Sequence, residues 1–276
     1  MHQRHTDKQQ YYREQEYTTV HYVIPFISKH LTIDSRIKIL EIGCGEGGNL
    51  KPFLDRGCRV TGVDIAQHRI DTAREFFSNH PQKDKLTLVA EDIYKAGETI
   101  DHDFDLIILR DVIEHIPSQQ RFMAMLKGYI GPGGMVFFAF PPWQNPFGGH
   151  QQICKSKVLS KLPYFHLLPA GLYRAVLRLA GEPDDKIQCL MDIKNTGISI
   201  DRFLRILKRE NYYILEQTLF IINPNYYIKF GLKPLRQLPF ISMLAVLRNF
   251  LSTAGYFLIT LNDEHHESAH RPPVNP

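Results

Sequence analysis

The stretch "ILEIGCGEGGNL", residues 39–50, sets four glycines and two glutamates directly behind a short apolar run. Residues 36–42, "RIKILEI", have the length and content of a buried strand. Glycines after such a strand let the backbone turn sharply and approach a ligand with no Cβ in the way. Two patterns fit the same residues. Gly43, Gly45 and Gly48 make G-x-G-x-x-G, while Glu41, Gly43, Gly45 and Gly47 make E-x-G-x-G-x-G. The first is weak evidence alone, because glycine-rich turns are common.

Outward from the loop, strand and helix patterns alternate. "NLKPFLDRG" makes a helix that Gly57 can end, and "RVTGVDI" is the next strand, closing on Asp64. "QHRIDTAREFFSNH" is a helix with Ile70, Ala73 and Phe77 inward. "LTLVAEDI" and "FDLIILRDV" are the third and fourth strands, the former closing on Asp92. "SQQRFMAMLKGYI" is a helix, and "GPGG" at 131–134 is a turn into the strand "MVFFAF". Such alternation predicts a parallel sheet with helices on both faces. Upstream, residues 8–30 have helical character, with Tyr12, Tyr17, Val20, Val23 and Ile24 on one face and Pro25 as the point of bending.

Beyond residue 140 the alternation breaks. Residues 141–196 carry six prolines and no clear strand. Ser199 then reads as the N-cap of "IDRFLRILKRE", followed by the strand "YYILEQTLFII". A second aromatic and basic segment, 224–254, precedes the last strand, "YFLITL". Overlapping its end and running through that strand, Phe240 to Leu261 is long enough to cross a bilayer. Arg248-Asn249 near its middle and the break at Ser252, Thr253 and Gly255 favour a short buried helix followed by a core strand.

Both loop patterns use Asp64, at the end of the second strand, to accept hydrogen bonds from ribose hydroxyls. They differ at Glu41, whose negative charge suits a cationic ligand and would repel a pyrophosphate. Asp92 can accept from an exocyclic adenine amine. With these residues in place, the chain resembles the class I S-adenosylmethionine-dependent methyltransferases, in particular the small-molecule branch that includes ubiquinone-biosynthesis enzymes. The resemblance covers 36–141 motif by motif, and 199–222 and 255–261 more loosely. It implies an α/β, Rossmann-like, doubly wound sheet of seven strands whose last strand is antiparallel, with helical insertions forming a lid. It also implies that S-adenosylmethionine is held by "EIGCGEG" (Glu41, Gly43, Cys44, Gly45 and Gly47), by Asp64 and Ile65, and by Asp92 and Ile93, with Arg110 beside it. The domain then spans 36–262 with insertions at 142–198 and 224–254. Residues 1–35 form a helical segment capping the cofactor site, and 263–276 a disordered tail. Arg110-Asp111 departs from the small or polar residues common there, and Arg110 can equally pair with Asp111 or Glu114 at the surface.

Methyl transfer to oxygen or to an acidic carbon gains from a base that titrates near neutrality, which histidine supplies. His115 in "VIEHIP" and His150 in "PPWQNPFGGHQQ" lie in loops at the same sheet edge as the glycines. His115 can also be a packing residue and His150 a surface residue. Gly148-Gly149 would permit close backbone approach, and Gln151 and Gln152 could orient a polar group. Acids at divalent-metal spacing are missing from the sequence, so no metal is expected.

Composition narrows the alternatives. At 276 residues, with 43% hydrophobic and 22% charged residues and a formal charge of +4, the chain is an ordinary globular one, with no basic excess that would call for nucleic acid. Asn-Pro-Pro-aromatic base-methylation signatures are also absent. Four cysteines without C-x-x-C spacing and a polar N-terminus lead to a cytoplasmic expectation. In "LPAGLYRAVLRLAG", Leu172, Ala175, Val176 and Leu179 share a helical face. Such apolar insertions fit a lipophilic or lipid-linked acceptor met at a membrane surface, or a homodimer contact. The competing functions are a methyltransferase-like binding protein without turnover and an NAD-dependent oxidoreductase.

Overall fold

A computed structural model describes residues 8–261, so the expected disordered tail lies outside the described residues. The chain opens with α1 (Lys8–Thr18), a π-helical turn (Thr19–Val23) and a short α2 (Ile24–Ile27). Pro25 sits in the first turn of α2, directly after the π-helical turn. The irregularity therefore precedes the proline. Then follow β1 (Lys38–Ile42), α3 (Lys51–Leu54), β2 (Arg59–Asp64), α4 (Gln67–Phe77), β3 (Leu86–Ala90), β4 (Phe104–Arg110), α5 (Gln119–Leu126) and β5 (Ile130–Phe140). The first insertion carries α6 (Ala170–Leu179) and α7 (Asp184–Thr196). After α8 (Ile200–Arg209) and β6 (Tyr212–Ile222), the second carries α9 (Asn225–Phe230), a two-residue β7 (Leu235–Arg236), α10 (Pro239–Met243) and α11 (Leu247–Phe250), before β8 (Ala254–Leu261).

The sheet order is β3-β2-β1-β4-β5-β8-β6-β7. Strands β1 to β5 are parallel, and β8 inserts antiparallel between β5 and β6. Seven strands match the expectation. The eighth, β7, is an edge pairing of two residues with β6 inside the second insertion. Because strand side chains alternate, both faces are apolar. Leu40 and Ile42 of β1, Ile107 of β4, and Val136 and Phe138 of β5 face α5 and α8. Ile39, Leu106, Ile108 and Phe137 face the opposite way, against α2, α3 and α4. On the first face Phe203 of α8 meets Phe138, Phe140 and Phe257, each at a ring-centroid distance of 5.0 Å. Ser199 caps α8 as its sequence requires, accepting from Arg202 N at 3.0 Å.

Several expectations need correction. The glycine run 131–134 is a bulge within β5 and not a turn before it, because Phe104 pairs with Ile130 while Leu106 pairs with Met135. Helix α6 packs through Tyr173 and Leu177, and it leaves Leu172 and Leu179 of the apolar face read in sequence exposed. It belongs to a separate small core with Phe165, Ile187 and Leu190, built by α7, a helix the sequence reading missed. The expected buried helix near residue 240 is instead two short ones, α10 largely exposed and α11 partly buried through Asn249. Among the described residues no helix is long and apolar enough to cross a membrane.

Candidate functional site

The carboxyl ends of β1, β2, β3 and β4 open onto a cleft of about 670 Å³. Ligands of open α/β sheets bind at this position, where the strand order reverses. The glycine loop reaches its lining through Gly43 alone, Gly45 and Gly47 lying outside it; the three have φ of 72°, 53° and 81°. A Cβ on Gly43 would come within 2.5 Å of Val112, and one on Gly47 within 2.7 Å of Phe77. A Cβ on Gly48 would come within 2.7 Å of the Tyr12 carbonyl of α1. These three glycines serve packing. Gly45 differs, since its missing Cβ would meet no atom nearer than Arg69 at 3.9 Å.

Gly43, Asp64, Ile65, Asp92, Ile93 and His115 of the sequence-derived set line the cleft. Asp64 accepts from Gly45 N and Ala66 N, both at 2.9 Å, so it holds the loop to the end of β2. Asp92 accepts from Tyr94 N at 3.0 Å. Ile65 leaves 76% of its surface exposed. Arg69, Tyr94, Asp111 and Arg121 also line the cleft and had not been singled out.

Glu41, Cys44 and Arg110 lie beneath the loop and outside this cleft's lining. The Cys44 side chain is fully buried. Glu41 is buried as well: Oε1 accepts from Asn49 Nδ2 at 2.6 Å, and Oε2 has no partner among the described residues. Desolvation raises its pKa from 4.5 to about 8, against the opposing pull of Asn49 and Arg110. Arg110 makes neither of the expected acidic pairings. It donates to Asn49 Oδ1, to Thr19 Oγ1 at 3.1 Å and to Asn225 Oδ1 at 2.9 Å. One guanidinium thus ties the glycine loop to the N-terminal segment and to α9. Arg110 also lines, with Tyr11, Gln15 and Asp111, a small polar recess beside the loop.

His115 lies at a junction. With Pro117 it also lines a second cleft of about 980 Å³, walled by His150, Ile153 and α7. The rings of His115 and His150 stand edge to face at 5.0 Å. His115 keeps 40% of its side-chain surface exposed at the mouth, yet nearby protein desolvates it enough to lower its pKa, opposed by Asp111. Glu114 beside it is buried; neither carboxyl oxygen has a hydrogen-bond partner among the described residues, and Oε1 lies 3.9 Å from His115 Nε2. Burial first, and Asp111 second, raise the Glu114 pKa well above the carboxylate range, which favours the neutral acid. Donor atoms of Glu114, His115 and His150 lie within 4.8 Å of one another, so the trio could also take a metal ion. No spacing of these residues along the chain signals it.

Asp111 and His150 both adopt left-handed backbone conformations, with φ of 54°. Such conformations are uncommon for residues other than glycine and gather at functional sites. The loop before His150 serves packing more than expected. A Cβ on Gly148 would strike the Trp143 carbonyl, and one on Gly149 the His166 side chain. Gln151 is buried and donates to Pro146 O at 2.7 Å, so it is structural.

The sheet decides between the two loop patterns. A dinucleotide fold in the order 3-2-1-4-5-6 has no antiparallel strand between its fifth and sixth, whereas here β8 lies there. A family model described as a methyltransferase domain matches residues 12–157. The chain belongs to that family. Membership of that family gives S-adenosylmethionine as the cofactor, and the sheet order sets the NAD reading aside. Relatives include ubiquinone biosynthesis O-methyltransferases from Rickettsia felis, 32% identical over 43% of this chain and 47% of theirs, and from Coxiella burnetii, 31% identical over 42% and 48%. The chain thus matches about half the length of these curated relatives. Two solved structures share the fold. The glycopeptide N-methyltransferase MtfA complexed with sinefungin has a TM-score of 0.52 and 15% identity, covering 89% of this chain and 87% of its own. Geranyl diphosphate C-methyltransferase from Streptomyces coelicolor has a TM-score of 0.51 and 14% identity, covering 86% and 78%.

Proposed function

We propose that this methyltransferase moves a methyl group from S-adenosylmethionine to an oxygen or carbon of a small lipophilic acceptor. The observation that carries this reading is the junction: the glycine-loop cleft and the second cleft meet at His115, with His150 alongside. Open space over Gly45 and the uncovered Ile65 suit a nucleoside in the first cleft. Remaining lone pairs on Asp64 would take the ribose hydroxyls. Asp92 and Ile93 would take the adenine, the carboxylate at its amine and the isoleucine at its face. The N-terminal segment, seated on Gly48 and bonded to Arg110, would cap the site.

Bound there, S-adenosylmethionine supplies a methyl already activated by its sulfonium. The chain's residues supply position and proton transfer. His115, whose lowered pKa favours the neutral imidazole, or His150 beside it would accept the proton of an acceptor O–H or acidic C–H and release it through the open mouth. Along the second cleft, Ile153 and Ile193 offer apolar contact, and Gln188 and Asn195 offer hydrogen bonds. The names of the ubiquinone-biosynthesis and geranyl diphosphate relatives support a prenyl or ring acceptor.

Glu114 favours a second reading. A divalent ion held by Glu114, His115 and His150 would neutralise the buried carboxylate and polarise an acceptor hydroxyl. Incubating a lipid-and-metabolite extract with methyl-labelled cofactor, with and without a chelator, tests both. Label entering the organic phase despite chelation supports the base, and loss restored by a divalent ion supports the metal. No incorporation despite cofactor binding would identify a binding protein without turnover.

A further inference from the structure

The second insertion is built inside out. Its polar residues point inward: Gln237, Asn249 and Ser252 are buried, with Gln237 Nε2 donating to Ser252 Oγ at 3.0 Å. Ser242 Oγ donates to Gln237 Oε1 at 3.0 Å, and Arg248 and Asn249 both donate to Asp201 of α8. Its large apolar residues point outward. Leu235, Leu238, Phe240, Met243, Val246 and Leu247 are all exposed, Met243 by 81%. So many large exposed apolar side chains within one short segment mark an interaction site. Here the internal hydrogen bonds hold it open.

Charge selects the partner. From Gln217 to Leu261 the chain has four basic residues and no acidic one. Arg248 is engaged inward by Asp201, leaving Lys233 and Arg236 exposed beside the apolar residues. A two-fold contact between copies through this face would set those cations against their own counterparts, with no acid of the segment to neutralise them. An anionic bilayer offers both an apolar medium and negative charge. The segment leaves the end of β6 and returns at the start of β8, the sheet edge that also holds both clefts, and its first helix reaches Arg110 through Asn225.

We propose that residues 232–247 dock this methyltransferase on the surface of anionic membranes. The proposal rests on the lipophilic-acceptor reading for its purpose, though docking is measured without catalysis. The full chain is sedimented with vesicles of phosphatidylcholine, and with equal parts phosphatidylcholine and phosphatidylglycerol. Stronger pelleting with the anionic vesicles is expected, weakened by salt. The double substitution Lys233→Glu/Arg236→Glu should lower the partition coefficient on anionic vesicles by about tenfold or more. Phe240→Ser with Met243→Ser should abolish pelleting on both. Melting temperature and affinity for S-adenosylhomocysteine should be unchanged in both variants, which separates lost docking from lost fold or lost cofactor binding. No pelleting on either vesicle, or pelleting indifferent to these substitutions, overturns the proposal. So does a dimeric mass that only Phe240→Ser/Met243→Ser abolishes, since a second copy would then cover the face.

Discussion

His115 and His150 come from loops after different strands, yet their rings meet edge to face at 5.0 Å where the two clefts join. If this pair accepts the acceptor's proton, replacing the working imidazole with asparagine should lower kcat by about 10²- to 10⁴-fold. Cofactor affinity should change little in His150→Asn, because His150 lines only the second cleft among the two. Turnover with the acceptor identified by labelling, alongside calorimetry with S-adenosylhomocysteine, checks this. Undiminished kcat in both single variants and in the double variant would remove the pair from the mechanism.

Asp64 makes a different demand. It receives two backbone N–H groups and faces the cleft. Asp64→Ala should weaken S-adenosylhomocysteine binding by about 10- to 100-fold, the worth of one or two charge-assisted hydrogen bonds. Gly45→Ala should also weaken binding. The added methyl meets no protein atom closer than 3.9 Å, but it occupies the open approach and strains a backbone at φ 53°. Wild-type affinity in both variants would contradict the assignment of this cleft.

Much of this was legible in local pattern. Alternating strands and helices, the glycine turn, and the acids at the end of β2 and two residues beyond β3 are short-range features, each carried by a few adjacent residues. The Ser199 cap is likewise local. What escaped depends on long-range packing. The exposure of Leu172 and Leu179 reflects how α6 meets α7, and α7 itself had a usable signal in Pro183 followed by Asp184 and Asp185 in the first turn. The His115–His150 encounter requires the course of a whole loop. Arg110 looked like a surface or ligand-side cation because its partners, Thr19, Asn49 and Asn225, are neutral and distant in sequence.

That three-way bond predicts a coupling. Arg110→Met should destabilise the protein by about 3 kcal/mol, since it strands buried polar partners. It should also speed hydrogen exchange in α1 and α9 more than in α4. Uniform exchange across these helices would mean that Arg110 clamps neither segment.

Glu41 should leave a signature in stability against pH. Its folded pKa is raised from 4.5 to about 8. Between those values the native protein holds a proton that the unfolded chain has released, so stability falls as pH rises through this window. The slope from this group is at most ~1.4 kcal/mol per pH unit. Glu41→Gln cannot ionise and should flatten the decline, which urea unfolding at several pH values would show. Parallel curves for the two proteins would contradict a neutral, buried Glu41.

The most direct measurement is calorimetric titration of the purified chain with S-adenosylhomocysteine and, separately, with NAD. Saturable binding of the first at one site, weakened by Asp64→Ala, and no binding of the second are the predicted results. Binding of NAD, or no affinity for S-adenosylmethionine and its demethylated product, would contradict the account.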